Sequence, residues 1–185
     1  AVQQIFDLSL QVIVDPSADP VWRDYCVQKL GYTLVRSDLS QASLANGLAL
    51  LDRLSAGEFP TLQGTALAAA HYLIDHDFQP PAHFLTTAEI GRRALACASD
   101  QTRPLIDRIV GMQIAGQCRA PGTPALVQSL ILAEDTTPLM LQVAAIATAG
   151  ELKSKQHYAL IQNFSLSPDI RLRKAARTAL RRMQE

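Results

Sequence analysis

Apolar residues recur along this chain at three- and four-residue steps, and no stretch alternates in the two-residue rhythm of a half-buried strand. The last segment shows the pattern best. Leu172, Ala175, Ala176, Ala179, Leu180 and Met183 form one apolar stripe, while Arg173, Arg177 and Arg181 climb another face at i, i+4. Pro168 suits a first helical turn and Ser167 can accept a free backbone N–H, so a helix is predicted over 167–183. Segments 20–31, 60–71, 104–116 and 138–150 follow the same plan: a proline start, a small-residue pair and, in most, a glycine expected to end the helix. Helices are also predicted between them. Residues 1–14 gather Val2, Ile5, Phe6, Ser9 and Ile13 near one face. Residues 40–56 turn Leu44, Leu48, Leu51 and Leu54 inward, with Asn46 and Arg53 outward and Gly57 as the stop. A helix capped by Thr86 or Thr87 buries Ile90, Ala94 and Cys97 and exposes Glu89, Arg92 and Arg93; short ones follow at 125–133 and 156–164. The expected fold class is all-α.

Aligning the five proline-led segments puts Arg23, Gln63, Arg108, Gln142 and Arg173 in one column, with Cys26, Ala66, Gly111, Ala145 and Ala176 three residues later. A long polar side chain followed by a small contact residue, repeated every 30 to 45 residues or so, is the signature of two-helix repeats whose neighbours approach closely. On these residues the chain resembles a HEAT-repeat protein over nearly its whole length. Asp19 with Arg23 and Asp169 with Arg173 match that family's Asp/Arg ladder, whereas Pro104 and Pro138 stand at the Asp position in the third and fourth copies. The resemblance implies a right-handed α-α superhelix (α-solenoid) of four to five helix pairs whose inner helices line a concave surface. It implies little about function, which lives in sites and not in folds.

At 185 residues and 48% apolar content the chain is expected to form one domain over 1–185. No apolar run approaches the roughly 18 residues that cross a bilayer, so no membrane insertion is expected. Net charge is zero but unevenly spread, about −5 over residues 1–100 and +5 over 151–185, which argues against a general nucleic-acid coat. Cys26, Cys97 and Cys118 are odd in number and widely spaced, so they read as free thiols in apolar helical settings. The Asn163-Phe164-Ser165 glycosylation triplet falls within a predicted helix. The chain opens on what reads as an inner helix and closes on an outer one. Because a self-contained solenoid needs polar end caps, a piece of a longer protein is expected, with self-association through uncapped ends as the competing expectation.

Candidate chemistry is sparse. Three of the four histidines fall within residues 71–83, and His71 and Asp75 at i, i+4 would bring two metal-ligand types together. A histidine near a helix C-terminus, where positive charge is favoured, explains His71 without metal. The iron-binding His-Glu pairs of some HEAT-repeat enzymes are not found, nor are the nucleophile-elbow, phosphate-loop, dinucleotide or His-Glu-x-x-His motifs; no cofactor and no catalytic residue is expected. What remains is binding. The outward positions Asn46, Arg53, Arg92, Gln128 and Gln162 on the inner helices, with Phe78, His83 and Phe84 on a Pro-Pro loop, are the expected contacts for a protein partner. The competing reading is a nucleic-acid-binding or base-processing protein that holds phosphates with Arg173, Lys174, Arg177 and Arg181.

Overall fold

The computed structural model describes residues 2–36, 38–76, 78 and 84–185, and these carry ten α-helices and no strand. In chain order they are α1 (Val2–Val14), α2 (Pro20–Arg36), α3 (Gln41–Ser55), α4 (Gln63–Asp75), α5 (Thr87–Ser99), α6 (Leu105–Gln117), α7 (Thr123–Leu132), α8 (Leu139–Glu151), α9 (Tyr158–Phe164) and α10 (Ile170–Gln184). Short 3₁₀ turns, Pro60–Leu62 and Lys155–His157, lead into α4 and α9. The even-numbered helices form one layer in sequence order: α2 packs on α4, α4 on α6, α6 on α8 and α8 on α10. Each odd-numbered helix packs on the even one that follows it. The odd helices touch each other far less, so the even layer carries the continuity of the structure.

The polar column is what joins each even helix to its predecessor. Arg23 donates through Nε to the Ile13 carbonyl at 2.9 Å, Gln63 through Nε2 to Ser55 at 3.1 Å, and Arg108 through Nε to Ala98 at 3.2 Å. Gln142 donates to the Glu134 carbonyl at 3.0 Å and Arg173 to that of Ser167 at 2.6 Å. All five acceptors lie at or just beyond the C-terminal end of the preceding helix, where carbonyls have lost their intrahelical donors. One side chain per even helix thus satisfies a stranded acceptor and fixes where the chain turns back.

Three local expectations are corrected. Pro104 and Pro138 stand just outside their helices with extended ψ near 140° and 132°, so helix α6 starts at Leu105 and α8 at Leu139. Ser167 and Pro168 likewise precede α10, whose cap is Asp169, accepting the Arg171 N–H at 2.8 Å. The Asp/Arg ladder does not form in these pairs. Asp19 accepts from Val21 and Trp22 N–H groups of its own helix, Asp169 pairs with Arg171, and Arg23 and Arg173 are spent on carbonyls. Finally, Gly31, Gly116 and Gly150 do not end helices. They sit inside α2, α6 and α8 where the next helix of the layer comes closest: a Cβ on Gly150 would lie 2.6 Å from the Ala179 Cα. Helices α6 and α8 instead close on the left-handed residues Arg119 and Lys153, whose following N–H groups bond back five residues to Ala115 and Ala149.

The core falls into two apolar clusters that meet across α5 and α6. The first gathers Ile13, Leu51, Leu67, Leu73 and Ile90; the second gathers Met112, Ile131, Leu141, Ile146 and Ile161. Among the described residues no helix is long and apolar enough to cross a membrane.

Candidate functional site

On α2, residues Trp22, Tyr25, Lys29 and Tyr32 are spaced i, i+3, i+7, i+10 and so occupy one helical stripe. That stripe is exposed: Trp22, the only tryptophan of the chain, is 62% accessible, and Tyr25 and Tyr32 are nearly half so. Trp22 meets Tyr25 edge-on at 5.8 Å, and the Lys29 ammonium lies 5.2 Å from the Tyr25 ring centroid and 5.4 Å from that of Tyr32. Packing of α2 on α4 extends the row. Tyr32 sits 4.4 Å from Tyr72 of α4, and Tyr72 stacks at 3.7 Å on His76, whose Nδ1 lies 3.0 Å from the Tyr72 carbonyl. The result is an aromatic ridge across two helices with one cation in its middle.

Beside the ridge, between α1 and α2, runs a groove of about 450 Å³. Its floor is Phe6, Leu30 and Cys26, and its rims are Val2 and Ile5 on α1 and Trp22, Tyr25 and Lys29 on α2. Exposed aromatics held by ring–ring and ring–cation contacts are anchors already ordered before a partner arrives, so little conformational freedom is lost on binding. The ridge residues Trp22, Tyr25, Lys29, Tyr32 and Tyr72 are not among those singled out from the sequence. The i, i+3, i+7, i+10 spacing was the available signal, and it was masked because Trp22 and Tyr25 lie in a segment whose repeat pattern led to counting it as one more packed helix.

The positions expected to contact a partner are scattered. Asn46, Arg53, Arg92, Gln128 and Gln162 are all exposed, but they ride on α3, α5, α7 and α9, which have few direct contacts with each other. Two of them are engaged internally: Arg53 pairs with Glu58 and lies 5.9 Å from the Phe59 ring centroid, and Arg92 pairs with Glu89 at 2.7 Å. Two hydrogen bonds from Arg92 and one from Arg93 hold the Glu89 carboxyl down at a pKa of about 2. Arg93, expected to point outward, crosses to α3, where it bonds the Asp52 carbonyl, the Asp52 carboxylate and the Ser55 hydroxyl. Phe78 and Phe84 are half-buried against the first core cluster, and His83 lies outside the described residues.

Of the basic run on α10, Arg171 is paired with Asp169, Arg182 with Glu151, and Arg173 with a backbone carbonyl. Lys174, Arg177 and Arg181 remain exposed, and among the described residues they pair with no carboxylate. Of the three, only Lys174 lines the depression between α8 and α10, beside Met140, Val143 and Thr178, and no aromatic ring lines it on which a base could stack.

No group of three or more metal-ligating side chains comes together among the described residues, and His71 and Asp75 are not joined by a third ligand. Cys97 is buried, with its thiol pushed up to about 12, and burial lifts half-buried Cys118 to about 11, so neither is a thiolate at neutral pH. No protein-family model matches this chain, and no curated protein matches it.

Proposed function

We propose that this chain is a HEAT-like α-solenoid and that it works as a protein-interaction module, with no chemistry of its own. The repeat reading is supported by the five-fold hydrogen bond from the polar column to the preceding helix and by the in-order packing of the even layer. One observation carries the functional reading: the exposed ridge Trp22, Tyr25, Lys29, Tyr32 and Tyr72 beside an apolar groove. Large aromatics clustered at a surface are what protein interfaces concentrate and what a solvated helix face avoids. The outward residues of the odd helices, Asn46, Arg53, Arg92, Gln128 and Gln162, would extend the contact on a concave side.

Nucleic acid is the competing ligand, and it would use Lys174, Arg177 and Arg181. Photo-crosslinking separates the two. A photoreactive residue replacing Tyr25 is expected to yield protein adducts, and one replacing Arg177 none that nuclease removes. With the crosslinked protein purified and the complex rebuilt, Trp22→Ala is expected to weaken binding about thirtyfold, the loss of one aromatic anchor worth about 2 kcal/mol. Unchanged affinity, or nuclease-sensitive adducts at Arg177 together with binding that falls steeply as salt rises, would replace this reading with the nucleic-acid one.

A further inference from the structure

Within the even layer the same rows meet at three of the four junctions. The residue eight positions after the polar column packs on the residue six after it in the next helix: Gly31 on Ala69, Gly116 on Thr148, Gly150 on Ala179. The residue just before the polar column belongs to the same receiving face. On α6, α8 and α10, and on α4 with the 3₁₀ turn that leads into it, that face is covered, and Asp107, Leu141, Leu172 and Leu62 are buried. In α2 the matching residues are Trp22 and Lys29, and both are exposed. Among the described residues no helix covers these rows of α2, so the groove between α1 and α2 has the make-up of the receiving faces on α4, α8 and α10.

We infer that this groove receives a single amphipathic α-helix of another protein, one that carries a carboxylate opposite Lys29. The inference rests on the protein-binding reading above and gives the partner its chemistry. A helix is favoured over a strand because Trp22, Cys26, Lys29 and Thr33 form an i, i+4, i+7, i+11 ridge, the relief that another helix interlocks with, and no sheet edge exists among the described residues. The carboxylate follows from Lys29. Its counterparts Ala69, Ile114, Thr148 and Ala179 are small or neutral, whereas Lys29 carries a charge and pairs with no carboxylate among the described residues. A helix that covers it must neutralise it, because a buried unpaired ammonium is strongly disfavoured. A second copy of this chain fits poorly. Its α10 would present Lys174, Arg177 and Arg181, with Arg181 set against Lys29 at the position where Gly31, Gly116 and Gly150 make the internal contacts.

The probe is a capped peptide of residues 138–153, the helix that covers these rows on α10, made in two forms, Gly150→Glu and Gly150→Lys. Emission of Trp22 reports the groove directly because the chain has no other tryptophan. The glutamate peptide is expected to shift that emission to shorter wavelength saturably and to bind at least about tenfold tighter than the lysine peptide, and Lys29→Glu in the full chain is expected to reverse the order. Lys29 is exposed, so the variant should keep the circular dichroism and melting of the parent. No shift with either peptide, equal binding that Lys29→Glu leaves unchanged, or a shift produced by raising protein concentration alone would overturn the inference, the last by seating a second copy in the groove. If the crosslinked partner still binds while Trp22 emission stays fixed, the helix is wrong and the interaction reading stands.

Discussion

Asp107 shows how a single residue can break its row and still be explained. It occupies the position of Leu62, Leu141 and Leu172, is only 2% exposed, and accepts the Gly64 backbone N–H at the start of α4. Helix α4 has no side-chain cap of its own, so α6 supplies one across the interface. The contact has a cost. Oδ2 finds no partner, and burial raises the Asp107 pKa above its ordinary value despite the Gly64 bond and nearby Arg103. A carboxyl whose folded pKa is raised favours folding below its unfolded pKa of 3.8, and that contribution is lost as pH rises through the folded value. Asp107→Asn keeps the acceptor and removes the charge. It is expected to stabilise the chain at neutral pH by on the order of 1 kcal/mol, with the gain shrinking as pH falls toward 4. Urea titrations of both proteins at several pH values check this, and a gain that grows on acidification would contradict it.

For the helices, the all-α class and the polar column were legible in the sequence because each even helix must solve the same two problems. A stranded carbonyl needs a donor, which selects Arg or Gln, and a close crossing needs a small residue, which selects Ala or Gly; both leave marks at fixed spacing. Helix ends were less legible. Glycine as a stop holds at Gly57, which follows α3 in left-handed backbone, yet Gly150 is in helical geometry and is small for its neighbour's sake, while the left-handed positions after α6 and α8 are Arg119 and Lys153. The aromatic ridge was the least legible, since Tyr32 and Tyr72 meet only once α2 lies on α4, forty residues on. The crossing makes a prediction of its own. Gly150→Val places two methyl groups where even a Cβ would lie 2.8 Å from the Cβ of Ala179, against backbone that cannot step aside. A loss of about 2 to 3 kcal/mol in chemical denaturation is expected, at the upper end for overpacking, and Lys153→Gly, just past the end of the same helix, serves as a control that should not destabilise.

At the scale of the whole molecule the two ends of the even layer differ in kind. At the α2 end the receiving rows are aromatic and apolar around one lysine. At the α10 end the outgoing rows are cationic. Four residues after the polar column, Val27, Leu67, Met112 and Ile146 are wholly buried, and the matching residue of α10 is exposed Arg177; eight after it, the glycines of α2, α6 and α8 give way to Arg181. A helix laid on α10 as α10 lies on α8 would have to bury Lys174, Arg177 and Arg181 together. Burying three like charges together is strongly disfavoured, so these cations oppose stacking on this face as much as they offer a phosphate grip. That opposition should be removable. Lys174→Val, Arg177→Ile and Arg181→Gly in one chain rebuild the outgoing face of α8, with Val143, Ile146 and Gly150 as the template. Because a contact between the α10 face of one copy and the α2 face of the next is heterologous, association of this triple variant is expected to be head-to-tail and concentration-dependent. Sedimentation velocity should show species growing with concentration where the parent chain does not grow, and Trp22 emission should move to shorter wavelength in step. A triple variant that folds, as circular dichroism would report, yet sediments as the parent does would mean that the rows at the two ends are not halves of one junction.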